Sequence, residues 1–147
     1  MTLSEVYFYM VIFICIGLTF FVIFTSEDLK DEKRYNWYRK YFLFIGLGGI
    51  TMELLGWNYL CPINCVLLTF SPFLTVNIIK ATTIIFRKLF DKEPYQTYRH
   101  ELSDGIWVDN KGDLKHKNYY IIYSVFLNFL PVATVLLAYS LIRNHFC

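Results

Sequence analysis

Nineteen consecutive residues, 7–25, carry no charge, and three further apolar blocks follow at 41–60, 66–86 and 119–142. A helix of nineteen residues is about 28 Å long, close to the hydrocarbon thickness of a bilayer. Strands are rarely so long, and a helix on a soluble domain keeps one polar face. Nearly all the charge lies between the blocks, with Glu53 and Lys80 as the exceptions inside them. Composition agrees: 56% of residues are apolar and 20% aromatic, above the balance of soluble chains. The sequence therefore predicts an all-α polytopic membrane protein, four transmembrane helices in a bundle, with residues 1–147 as a single membrane domain.

The first block could be mistaken for a secretory signal. Its leader, Met1-Thr2-Leu3-Ser4-Glu5, has no basic residue, and Ser26-Glu27-Asp28 stands where small cleavage-site residues belong. It reads as a retained helix. Pro72 and Pro131 fall inside the third and fourth blocks, where proline marks kinks.

Basic residues orient the chain. Lys30, Lys33, Arg34, Arg39 and Lys40 lie between the first two blocks, and Arg87, Lys88, Lys92, Arg99, Lys111, Lys115 and Lys117 between the last two. The short turn around Cys61-Pro62-Ile63-Asn64-Cys65 has none, and Arg143 alone follows the fourth block. Lys and Arg are retained on the cytoplasmic side. Both long connections are expected there, with both termini extracytoplasmic. The compact chain, with no recognised sorting signal, points to a bacterial inner membrane. Lys80 lies six residues before Phe86, so its ammonium reaches the cytoplasmic headgroups by snorkelling about 9 Å, or else finds a buried ion partner. Tyr35, Trp37 and Tyr38 form an interfacial aromatic belt.

The connection 87–118 is the one segment large enough for an aqueous module. Arg87-Lys88-Leu89-Phe90 extends the third helix toward Pro94, and 106–108 and 114–116 flank turn residues as a short hairpin would. Trp107, Arg99 and His100 are its candidate interaction residues.

Inside the second block, Gly46, Gly49, Glu53 and Gly56 recur at steps of three, four and three, and so share a helix face. Glycines let helices approach closely in lipid, which turns this face and Glu53 into the bundle. A carboxylate at the bilayer centre costs about 2.5–3.5 kcal/mol, so Glu53 is expected to be protonated or partnered. Counted at 1.5 Å per residue from the cytoplasmic ends, Asn77 and Asn128 come near its depth. They are expected to form an intramembrane polar layer with it, and Lys80 lies about 9 Å below. That layer is either helix glue or an ion site.

Cys61 and Cys65 flank the outward turn, where an oxidising compartment permits a disulfide. Their C-x-x-x-C spacing departs from the C-x-x-C of membrane thiol oxidoreductases, and Cys15 and Cys147 make no second outward pair. His100-Glu101 lacks the second histidine of a zinc helix, and His116 is too far along to supply it. Asp109 to Asp113 places Lys111 at a ligand position of a calcium loop. Gly46-x-Gly48-Gly49 lies within an apolar block, not after a strand. Neither a catalytic residue, a metal nor a cofactor is expected. The basic residues abut the membrane and alternate with acids, which points to anionic lipid and away from nucleic acid.

These features fit three classes. The first is a non-enzymatic subunit of the accessory, immunity or sensor type, acting through another membrane protein. The second is a small oligomeric channel or transporter using the Glu53 layer. The third is a thiol oxidoreductase using Cys61 and Cys65. A homo-oligomer is compatible with each.

Overall fold

The computed structural model describes residues 3–61, 63–91 and 117–146. The described chain is helical throughout: α1 (Leu3–Phe24), a short 3-10 helix (Ser26–Lys30), α2 (Glu32–Leu54), α3 (Asn64–Phe90) and α4 (Lys117–Phe146). Three of these helices, α1, α3 and α4, are long and apolar enough to cross a bilayer. The fourth, α2, falls short. Its uncharged stretch is 41–52, with Arg39 and Lys40 before it and Glu53 after. Twelve residues rise about 18 Å, well under a 30 Å hydrocarbon core.

Local chemistry sets the ends of α2. Asp31 has an extended backbone and caps the start, its carboxylate accepting the Lys33 N–H at 3.1 Å. At the other end, the Trp57 N–H reaches Met52 O at 3.0 Å and the Gly56 N–H reaches Glu53 O at 3.2 Å, with Gly56 at φ +71°. This is a Schellman termination with glycine in its left-handed position. The second apolar block was expected to stay helical over 41–60, and the helix stops at Leu54. Gly56 is thus a cap outside the helix, not part of a packing face.

Helix α3 is the hub. Each of the other long helices packs on it, and α1, α2 and α4 barely touch one another. The expected bundle is realised as three helices around a fourth. Phe8 and Ile12 of α1 meet Cys65, and further along Val22 and Ile23 join Val76, Ile79 and Phe42. Helix α4 packs on the second half of α3: the Phe86 ring lies 5.9 Å from that of Tyr119 and 5.3 Å from that of Tyr123, and Tyr123 is bonded to the Thr83 hydroxyl at 2.9 Å.

Pro72 stands inside α3. Its missing N–H leaves Leu68 O without the usual donor, and the Ser71 hydroxyl donates to that oxygen at 2.7 Å. The helix therefore passes through the proline. Outward-facing side chains such as Phe13 and Phe129 are 76% and 68% exposed. Such a surface is matched by lipid, in which a helix satisfies its own backbone, and these three apolar helices place the protein in a membrane.

Candidate functional site

The polar side chains gather at three levels along α3. At the N-terminal end of α3, Glu53 closes the α2–α3 turn. Its Oε2 accepts from Asn58 Nδ2 at 2.7 Å and its Oε1 accepts the Ile63 N–H at 3.2 Å. Asn58 returns an Asx-type bond, its Oδ1 accepting the Leu60 N–H at 2.8 Å. Ile63 has φ 72°, a left-handed conformation that a β-branched residue rarely adopts. The bond from its own N–H to Glu53 helps hold it there. Tyr59 carries the turn onto α1, with its OH 2.7 Å from Ser4 Oγ and its ring edge-on to Phe8 at 5.5 Å.

In the middle, the hydroxyls of Thr19 on α1 and Ser71 on α3 lie 2.9 Å apart, both buried. Thr69 donates to Cys65 O and Val66 O at 3.0 Å. It stands directly against Gly49, where a Cβ would overlap Thr69 Oγ1 and sit 2.7 Å from Thr69 Cβ. Gly46 faces the Phe70 ring, 2.7 Å from where its Cβ would be. Both glycines are buried and both bring α2 onto α3.

At the third level, nearest the C-terminal end of α3, the Tyr35 hydroxyl of α2 donates to Asn77 Oδ1 of α3 at 3.0 Å, and Asn77 Nδ2 donates to Phe73 O at 2.7 Å. Lys80 Nζ donates to Leu29 O of the 3-10 helix at 3.3 Å and lies 5.1 Å from the Tyr35 ring centroid. The Arg39 guanidinium carbon is 5.9 Å from the same centroid. On another side of α2, Lys33, Arg34, Trp37 and Tyr38 line an open cleft of about 360 Å³.

The expected layer of Glu53, Asn77 and Asn128 does not assemble. Asn77 binds Tyr35, eighteen residues and about 27 Å along α2 from Glu53. Asn128 Nδ2 donates to Ser124 O within its own helix at 2.7 Å. The depth count took 41–60 as the helix, whereas Glu53 is the residue before the last of α2. It is partnered, as a carboxylate at that position must be, but by turn groups. Nothing in the spacing pointed to Tyr35, which the aromatic belt had absorbed.

The Cys61–Cys65 bridge is likewise absent. Cys61 is disulfide-bonded, while Cys65 and Cys15 are buried free thiols. Cys65 lies in the first turn of α3, fully buried beside Phe8, Ile12 and Met52. That geometry turns it away from Cys61 and into the core. Arg99, His100, Trp107, the hairpin and Cys147 lie outside the described residues. Comparison of the chain with family models, with curated proteins and with solved structures gave no match.

Proposed function

We propose that this protein is a non-enzymatic subunit of a cell membrane, of the accessory, immunity or sensor type, that acts by binding another membrane protein. One observation carries the reading. Helix α4 packs on α3 with one face and offers the opposite face to nothing among the described residues. In its apolar window 22% is buried, against 44% for α3. Phe129, Ala133, Leu136 and Ser140 line that outer face at steps of four, three and four, all exposed. Small residues set among larger ones permit close helix approach in lipid. Glu53, Asn77, Asn128 and the Thr19–Ser71 pair, in contrast, are occupied in turn, helix and packing bonds. Ser26 Oγ, Asn64 Oδ1 and Thr75 Oγ1 are buried without a hydrogen-bond partner among the described residues. Neither the channel nor the thiol-enzyme reading gains an observation of its own.

The same reading takes α2 as a fourth crossing, with both termini extracytoplasmic. Support comes from α2 lying beside α3 from Asn77 to Thr69, within the depth α3 traverses. Arg39 and Lys40 can extend toward the headgroups to make up the missing length. The oxidised Cys61 also suits an outward α2–α3 turn.

The test is co-purification in mild detergent. Ala133→Trp fills the α4 seam and is expected to remove a protein that co-purifies with the wild type. Ile16→Trp, on the exposed side of α1, is expected to leave it. A wild-type chain that elutes alone, or a partner kept by Ala133→Trp, contradicts the proposal.

A further inference from the structure

We propose that Lys80 and Arg39, gathered about the Tyr35 ring, form a binding site for the phosphate of an anionic phospholipid. The inference rests on the membrane placement and not on the subunit reading.

Charge balance leads to it. Lys80 lies within α3, ten residues before its end, and is only partly exposed. An ammonium has three donors, and one is used, on Leu29 O. Arg39 has five donors and makes no hydrogen bond among the described residues; its contact there is the face of Tyr35. Of the nearby acids, Glu32 is exposed and makes no ion pair with either cation among the described residues, and the other three are engaged otherwise. Glu27 pairs with Lys30, Asp28 with Arg34, and Asp31 caps α2. Among the described residues, then, no carboxylate neutralises Lys80 or Arg39. Charges at membrane depth are paired or hydrogen-bonded, so an anion from outside the helices completes this pair.

The surroundings select an amphiphile. From Lys80 toward the C-terminal end of α3, Ile84 and Arg87 follow at steps of four and three on the same face. Ile84 is 43% exposed. A basic centre next to an apolar wall fits a headgroup phosphate with its acyl chain alongside, whereas a soluble anion would leave the wall bare. The site itself is held in place. Tyr35 is fixed by its bond to Asn77, and Lys80 by the carbonyl of Leu29, which is 2% exposed. Lys80 therefore does not have to be ordered by the ligand, which lowers the entropy cost of binding.

The experiment uses the full chain in a neutral detergent. Its thermal unfolding is followed after adding a short-chain phosphatidylglycerol, a phosphatidylcholine of equal chain length, or inorganic phosphate. For the wild type the anionic lipid is expected to raise the midpoint by about 4 °C or more at saturation, and the other two by much less. Lys80→Gln and Arg39→Gln are each expected to lose most of that rise, and Lys80→Arg to keep it. Arg39 is exposed and makes no hydrogen bond among the described residues, so Arg39→Gln reports even if Lys80→Gln fails to fold. An equal rise with phosphatidylcholine or with inorganic phosphate overturns the assignment to an anionic lipid. A full rise in Arg39→Gln overturns the site.

Discussion

At the scale of single residues, Glu53 shows how an acid in an apolar stretch can serve structure alone. Both its oxygens are engaged, one with the Asn58 amide and one with the Ile63 N–H. Hydrogen bonds to a charged group contribute about 1.5–3 kcal/mol each when formed in place, and partial exposure of this turn lowers that figure. Glu53→Ala is expected to cost about 2 kcal/mol. Glu53→Gln keeps one good acceptor and is expected to cost about 1 kcal/mol. Unfolding in mixed micelles with increasing dodecyl sulfate measures both. If Glu53 instead carried ions across a membrane, Glu53→Gln would leave stability alone and abolish flux. The acid was visible in the sequence, and so was its need for a partner. The partners were not, because the count that placed it at the midplane assumed a helix running on to residue 60. Gly56 followed by Trp57 and Asn58 was the available signal, since a glycine before polar turn residues is a helix stop.

At the scale of elements, the closeness of α2 to α3 depends on two glycines that differ in what they touch. A methyl on Gly46 would meet the Phe70 ring, which can swing aside at modest cost. A methyl on Gly49 would meet Thr69, whose Cβ is held by its backbone and whose hydroxyl is bonded to Cys65 O and Val66 O. Helices in lipid associate through packing contacts, with little hydrophobic drive between them, so forcing them apart forfeits most of what joins them. Gly49→Ala is expected to destabilise by about 2–3 kcal/mol, and Gly46→Ala by less. Gly48→Ala, whose Cβ would meet nothing within 4 Å, is expected to be neutral or to stabilise by a few tenths of a kcal/mol through helix propensity. The same unfolding titration ranks the three. Equal effects at 48 and 49 would show that α2 does not pack on α3 as described. Here sequence reasoning reached far: the three-and-four spacing of Gly46 and Gly49 identified the contact face. It failed toward the C-terminal end of α3, where Lys80 meets Leu29 and Tyr35 meets Asn77, 51 and 42 positions apart. No periodicity relates residues on different helices. Only the docking of α2 and the 3-10 helix on α3 brings them together.

For the whole molecule, the question is which side of the membrane each connection occupies, and the cysteines give an independent reading of it. The chain holds four: Cys15, Cys61, Cys65 and Cys147. Two are buried free thiols and Cys61 is oxidised. Cys61 sits at the α2–α3 turn, and an oxidised cysteine there calls for an oxidising compartment on that side of the membrane. The expected outcome follows from alkylating the protein without reductant under denaturing conditions. Cys15 and Cys65 take the label, and Cys61 takes it only after reduction. A Cys61–Cys65 peptide, or a Cys61 labelled before reduction, would overturn this arrangement. In intact cells, a membrane-impermeant reductant should open the bond only if the α2–α3 turn faces outward. That single treatment tests the polarity read from the lysines and arginines without altering any residue.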